Sequence, residues 1–443
     1  MKKKITVLLL AMLFTIAFAV GGCASGNQNP APAQETPDQP AQQQSEPVKL
    51  TVMYQNNGDT DNYKKWMDEN ISLFTQNNSN VTIESLSTVS GDEYLTKLNT
   101  EMAANSVDGV FQGWVSGRLE PFAKSGRIYE IGQDIDKDPT FKAFLNQEAL
   151  KSTTFDGKTY AIPSTIQGEY VIYNKDVFDK LGLQEPQTYE DFLNIVKVCK
   201  ENSIVPVVLC NKEIWTGTIP YMTIYARVAG YEGYENTIIK RTGKFTDPDF
   251  VKAAQILQEW VNMGVFEPGV NGVSYDEAES KFVSGQGAMW FIGSFINGTL
   301  DEKMPGKVGM FNFPTIPDGK GNQNDMIILP NQSIAISENC ACKPEAVDFV
   351  KFAFSQDRQV ALAKGGNIPC TNIQVDASVV SPLVTEFIDM MTQATSSQMP
   401  WDVPLGNYLG QELNNMTQML YDGQDPVKLL EALQQAADNE PQQ

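Results

Sequence analysis

Histidine is absent from the 443-residue chain. That absence removes Ser-His-Asp and Cys-His nucleophilic catalysis, histidine-containing zinc sites and the usual proton shuttle near neutral pH. Positive charge is also scarce. Lys and Arg number 33 against 54 Asp and Glu, for a net charge of −21. So acidic a body does not bind nucleic acid non-specifically, is repelled by an anionic lipid surface, and weighs against a highly anionic ligand. Cysteine is sparse: Cys23, Cys199, Cys210, Cys340, Cys342 and Cys370. A Cys340–Cys342 loop is strained as a disulfide. Cys199 ends an expected helix, whereas Cys210 ends the strand that follows. That strand holds them roughly 17–20 Å apart at ~3.3 Å per residue, against the ~4.4–6.8 Å between Cα atoms that a disulfide tolerates. The set matches neither a disulfide framework nor a zinc site, and reads as mostly buried small hydrophobes. There is no repeat of fixed period.

The N-terminus holds a positive cluster, Lys2 to Lys4, then an apolar run from Ile5 to Val20, then Gly21, Gly22 and Cys23. This is the order of a secretory signal peptide. The run is short of the ~20 residues of a spanning helix. Val20-Gly21-Gly22-Cys23 resembles a bacterial lipobox, which implies acylation of Cys23 and a cell-membrane lipoprotein held on the extracytoplasmic face. Residues 24–47 carry five Pro and six Gln and no Val, Ile, Leu, Met or aromatic. Such a segment cannot bury enough apolar surface to offset its ordering entropy, and it reads as a tether with a reach of up to roughly 75 Å at ~3 Å per residue.

Between this tether and the polar C-terminus lie about 390 residues, enough for two domains. Val48–Tyr54 is a strand candidate, and Tyr63, Trp66, Met67, Ile71 and Phe74 recur at helical spacing. Val81–Leu86 is a second strand, Ser90–Glu93 a capping box, and Val107–Phe111 a third strand. This β-α-β-α-β order predicts a parallel sheet with ligands outside the carboxyl ends of its strands, where Gln55, Asn56, Gln112 and Trp114 fall. A second α/β unit starts near Tyr170, with a helix start at Thr188–Asp191, strands at Val205–Leu209 and Gly287–Ile292, and a helix opened by Asp247-Pro248. Helices dominate after Lys343.

Four stretches then carry a resemblance. They are Asp156-Gly157-Lys158-Thr159-Tyr160-Ala161-Ile162-Pro163 with Tyr173–Phe178 and Thr188–Leu193; Phe282–Met289 with Gly293-Ser294-Phe295; Asp108–Ile131; and Pro344-Glu345-Ala346 with Phe349–Phe352. In order and spacing they resemble family 1 of the bacterial extracellular solute-binding proteins, over nearly all of residues 48–437. The resemblance implies an α/β, two-lobed, periplasmic-binding-protein-like fold of type II, with a ligand cleft between lobes joined by hinge crossovers. The expected lobes are 48–160 plus 309–358 and 161–308 plus 359–437, after a signal peptide at 1–22 and the lipidated tether at 23–47. Crossings are expected near Tyr160–Ser164 and Gly309–Pro314.

The implied activity is capture of a mono- or oligosaccharide for delivery to the permease of an ABC importer, by a monomer without catalysis, metal or cofactor. Gln167 falls where a maltose-binding member has an acidic contact. Phe295 stands where members usually place Trp. Glu213 and Trp215 lie in a second-lobe contact loop, Asn367 in a loop near the cleft, and Trp401 and Tyr408 in the last ligand segment. Trp66, Trp260 and Trp290 share apolar stripes and are expected in the core, whereas Trp114, Trp215 and Trp401, among turn residues, are cleft candidates. Other solutes remain open: a polyol, a glycerophosphodiester, a peptide or a polyamine. Arg118, Lys212 and Arg227 keep a phosphorylated ligand possible. A secreted glycoside hydrolase, which needs only paired carboxylates, and an adhesive surface protein are the rivals from other classes.

Overall fold

The computed structural model describes residues 48–56, 58, 61–88, 91–373 and 380–440. The signal segment, Cys23, the tether and the Ser90 cap lie outside the described residues. The strands run β1 (Val48–Gln55), β2 (Val81–Thr88), β3 (Val110–Gly113), β4 (Thr154–Phe155), β5 (Lys158–Thr159), β6 (Ala161–Pro163), β7 (Thr165–Asn174), β8 (Val205–Val208), β9 (Gly287–Gly293), β10 (Val308–Phe311), β11 (Asp325–Pro330), β12 (Ser333–Ile336), β13 (Ile368–Pro369) and β14 (Ser396–Gln398). One sheet has the order β2-β1-β3-β12-β6 and a larger one the order β14-β11-β7-β9-β8, with β10 and β13 also on β7. In the first, β1 pairs parallel with β2 and β3, as the alternating pattern predicts. In the second, the ten-residue β7 is the spine on which β9, β10, β11 and β13 pair antiparallel.

Local chemistry sets the helix starts. Asp61 accepts from the N–H groups of Tyr63 and Lys64 at 2.9 and 3.1 Å and opens the helix Asn62–Asn77. Thr188 and Asp191 form a reciprocal capping box at the head of Tyr189–Glu201, each satisfying a backbone donor the helix leaves free. Trp66, Trp260 and Trp290 are buried, as their stripes predict. The third strand starts at Val110, not Val107. Gly109 takes φ +78° and passes so close under Thr51 that a Cβ there would lie 2.3 Å from the Thr51 carbonyl oxygen. The chain turns at this glycine before it can pair.

The two sheets form the cores of two lobes. The first crossing falls at Ser164, directly after Pro163 ends β6, as expected. The second does not fall at Gly309–Pro314. Val308 to Phe311 pair with Asn174 to Val171 inside the second sheet, and β11 also pairs there. The chain crosses instead at Asn331–Gln332, between β11 and β12. The expected break at 358/359 is displaced as well. Leu362 is buried in the first-lobe core with Phe349, Val350 and Phe354, and the Arg358 carbonyl accepts from the Trp66 indole at 2.7 Å. A third crossing follows near Ile368–Thr371, where β13 pairs β7 and Thr371 bridges back to Leu145. Cys199, Cys210, Cys340, Cys342 and Cys370 are free thiols, the Cys340 and Cys342 sulfurs 3.8 Å apart.

Arg227, on the helix Thr218–Tyr234, ties down the long connection from β10 to β11. Its guanidinium donates to the carbonyls of Phe313, Asp325 and Gln323 at 2.7, 3.0 and 3.0 Å. Burial pulls its pKa down to about 10, which leaves it charged at neutral pH. Arg227→Met strands three buried carbonyls and should lower the unfolding free energy by about 3 kcal/mol. Denaturant unfolding checks this; a loss below about 1 kcal/mol would mean that water replaces the guanidinium at little cost.

Candidate functional site

The carboxyl ends of β1 and β3 lie side by side in the first lobe. Gln112 is fully buried, and its Oε1 accepts from the Gln55 N–H at 3.1 Å. Its Nε2 has no hydrogen-bond partner. A buried donor left unmade costs about 1–3 kcal/mol. Asn56, next along, uses its Oδ1 to close a turn onto the Gly58 N–H. Trp114 follows β3. Its ring leans on Tyr94 at 5.8 Å, and the Arg118 guanidinium stands 5.6 Å from its centre on another side. Trp114 keeps part of its surface exposed.

The second lobe contributes a ring cluster. Trp215 lies in the 3₁₀ turn Ile214–Gly217 and Phe295 in the turn Ser294–Ile296 after β9. Their centroids are 6.0 Å apart, and Tyr275 stands 6.2 Å from Phe295. All three are partly exposed. The Phe295 ring folds back over Gly293, where a Cβ would meet it at 2.6 Å. The segment borders the other lobe: a Cβ on Gly298 would lie 2.5 Å from the Gly365 carbonyl oxygen and 2.7 Å from Asn62. Burial, then the charge of Glu279, raises the Tyr275 hydroxyl well above its ordinary range, and Asp61 of the first lobe adds to the shift. Tyr275 packs beside Phe295 and Trp290 in its own lobe. It was missed in the sequence, where it reads as the first residue of an ordinary helix capped by Ser274.

Gln167 on β7 is buried, its Oε1 accepting from Asn331 Nδ2 at 2.5 Å in the second crossing. Two residues on, Glu169 has a buried Oε2 without a hydrogen-bond partner. Desolvation, then the charge of Asp402, raises its carboxyl pKa well above the usual range. Glu213 heads the Trp215 turn, its N–H on the Cys210 carbonyl. Asn367 is buried in the third crossing. Tyr408 stands 41 % exposed on the helix Gly406–Tyr421, outside the ring cluster.

Trp401 is a correction. It is fully buried in the second-lobe core, edge-on to Tyr225 at 4.9 Å and Tyr221 at 5.6 Å, with Phe250 at 5.5 Å. Its turn is irregular in sequence, but three neighbouring elements close over it. Of the three cations that kept a phosphorylated ligand open, Arg227 is held by carbonyls and Arg118 is paired with Asp402; Lys212 is exposed. Among the described residues no group of three acidic or Cys side chains is placed to hold a metal ion.

Partly exposed rings, polar strand ends and two arginines already paired suit a neutral, hydroxyl-bearing small molecule held by contact alone. Residues 57–360 match the family described as bacterial extracellular solute-binding protein. The chain belongs to that family. It is similar to the multiple sugar-binding protein of Streptococcus mutans, 25% identical over 327 residues that cover 70% of this chain and 72% of the other. A chitin oligosaccharide binding protein superposes with a TM-score of 0.82 at 26% identity, covering 88% of this chain and 98% of that one. A structure from work on xylan utilization by Caldanaerobius polysaccharolyticus gives 0.81 at 28% identity, covering 88% and 99%. The two-lobed solute-binding fold is therefore shown, and the chain binds a solute.

Two outcomes follow from the burial pattern. Trp401→Ala should cost about 3–5 kcal/mol of stability and Trp215→Ala under about 1 kcal/mol; equal losses in chemical denaturation would contradict the assignment of Trp401 to the core. Glu169 holds its proton in the folded state more tightly than in the unfolded chain, so its contribution favours folding less as pH rises above about 4.3. The stability of Glu169→Gln relative to the native protein should therefore grow from acid toward neutral pH. Urea titrations across that range that show a constant difference would rule out a buried, proton-retaining carboxyl.

Proposed function

We propose that this protein is a non-enzymatic, lipid-anchored receptor that captures a mono- or oligosaccharide between its lobes and delivers it to the permease of an ABC importer. The observation that carries the ligand class is the Trp215–Phe295–Tyr275 ring cluster, partly exposed and bordering the other lobe. A pyranose presents a C–H face that packs on such rings, while its hydroxyls reach polar groups at the edge. Trp114 is the matching ring on the first lobe, with Gln55, Asn56, Gln167, Glu213 and Asn367 as polar groups near the strand ends and crossings. The commitment of Arg118 and Arg227 elsewhere supports an uncharged sugar over a phosphorylated solute. The sugar-binding relatives support the same class.

The lobes are assigned as 48–163 with 333–367 and 370–373, and 165–330 with 368–369 and 380–440, by strand membership. No cofactor, metal or second subunit enters this reading. The signal-like leader and Cys23 support a lipid anchor on the extracytoplasmic face of the cell membrane. Cys23→Ser should move the protein from the membrane fraction to the medium, and unchanged retention would refute the anchor.

The ligand class is tested by thermal shift across a library of neutral sugars, sugar phosphates, polyamines and peptides, since a ligand that binds only the folded state raises its stability by mass action. A shift confined to neutral sugars is expected, without hydrolysis of the bound sugar. Trp215→Ala and Phe295→Ala should each weaken its binding at least about tenfold, since each removes apolar contact worth ~25 cal/mol per Å² before binding costs. A shift with polyamines or peptides only, or normal affinity in both variants, would overturn the reading.

A further inference from the structure

Four successive first-lobe residues after β3 meet one second-lobe turn. Val115 is fully buried in a small cluster with Leu329 and Val403, and Met399 packs against it. Ser116, a non-glycine residue at φ +50°, places its Oγ 3.7 Å from the Met399 sulfur. Gly117 lies so close to the turn that a Cβ would sit 2.9 Å from the carbonyl oxygens of both Val403 and Pro404, and one on Gly406 would sit 3.3 Å from the Gly117 carbonyl oxygen. The Arg118 guanidinium pairs with Asp402 at 2.5 Å, both side chains largely shielded at 14% and 10% exposure. Farther along, Asn407 Nδ2 approaches Asn99 Oδ1 at 3.4 Å. These contacts join residues of the two lobes, in a cluster that reaches Leu329 at the end of β11.

We infer that the turn Val115–Arg118 is a clasp seated in the turn Met399–Gly406 on closure, and that Arg118 is a positioning residue which sets the Trp114 ring as the lobes meet. Arg118 touches both partners, with Asp402 at one end and the Trp114 face at the other. Planar guanidinium can do both at once, whereas an ammonium cannot. Seating the clasp raises the population of the closed form, and apparent affinity scales with the population of the form that binds. The inference rests on the two-lobed binding reading above but not on the identity of the sugar.

The test uses the full-length protein in detergent. Gly117→Ala, Arg118→Ala, Arg118→Lys and Asp402→Asn are made singly, and Arg118→Ala is combined with Asp402→Asn. Three readouts are taken: lobe separation by fluorescence transfer between labels on the two lobes, affinity for whichever solute gives the thermal shift, and the Trp114 emission obtained as the difference from a Trp114→Phe protein. Gly117→Ala, which obstructs the seat without touching charge, should open the ligand-free lobes. Gly117→Ala and Arg118→Ala should each weaken binding at least about tenfold. Arg118→Lys should restore closure in part but not the Trp114 emission. The combined variant should be no weaker than Arg118→Ala. Wild-type lobe separation and affinity in both Gly117→Ala and Arg118→Ala would overturn the clasp. Wild-type Trp114 emission in Arg118→Ala would overturn the positioning role. If no solute shifts the native protein, the sugar reading fails, and lobe separation still decides the clasp.

Discussion

Ser164 joins the three places where the chain passes between lobes. It is fully buried. Its N–H donates to the Gln332 carbonyl at 2.7 Å, and its hydroxyl reaches the same oxygen at 3.0 Å. Its own carbonyl accepts from the Cys370 N–H at 3.1 Å. Tyr63 Oη lies 3.0 Å from Ser164 Oγ, which ties the junction to the first helix. The Asn331 N–H donates to the Thr165 carbonyl on the other side. With three strands bonded at one point, rotation of the lobes must come from small dihedral changes around this knot, since separation would strand buried backbone groups. Everything nearer the cleft mouth can then move as two rigid halves.

Two polar side chains near the strand ends are buried with an atom that has no hydrogen-bond partner. A folded chain satisfies nearly all of its buried donors and acceptors. Gln112 Nε2 and Glu169 Oε2 are exceptions, one at a first-lobe strand end and the other on the second-lobe spine two residues from Gln167. The large cations nearby already have acceptors. Ring faces beside the strand ends, with Arg118 and Arg227 committed to other acceptors, favour the neutral ligand proposed above.

Much of this was legible in the sequence, and the failures share a cause. The parallel β-α-β start, the Thr188–Asp191 cap, the end of β6 at Pro163 and the three core tryptophans all follow from local period or local turn chemistry. Trp401 was misread because a turn without periodicity gives no sign of which elements close over it. The crossing expected at Gly309–Pro314 failed for a related reason. Val308 to Phe311 is a short apolar run that pairs equally well in either sheet, and only its register with Asn174–Val171 decides. The Val115–Arg118 turn acquires its role from partners more than a hundred residues distant, and Tyr275 from Phe295 on another element, which spacing within one segment cannot carry. Of the site residues expected from resemblance, Gln167 and Asn367 lie at crossings and Trp215 and Phe295 in one ring cluster, whereas Trp401 is in the core and Tyr408 on an exposed helix.

The two ring surfaces differ in how they are held, and that difference gives closure a direction. Trp215, Phe295 and Tyr275 pack on one another within the second lobe, so their arrangement does not depend on the first. Trp114 has Tyr94 on one side, but its other restraint, Arg118, is anchored to Asp402 across the cleft. With the lobes apart, the second-lobe surface remains formed while the first-lobe ring loses a restraint. A solute therefore meets a preorganised face first, where little conformational entropy remains to be lost, and the second ring is fixed only as the clasp seats. Affinity then divides between contact with a ready surface and the equilibrium of closure, and the chain can alter one through the rings and the other through residues that need not touch the solute.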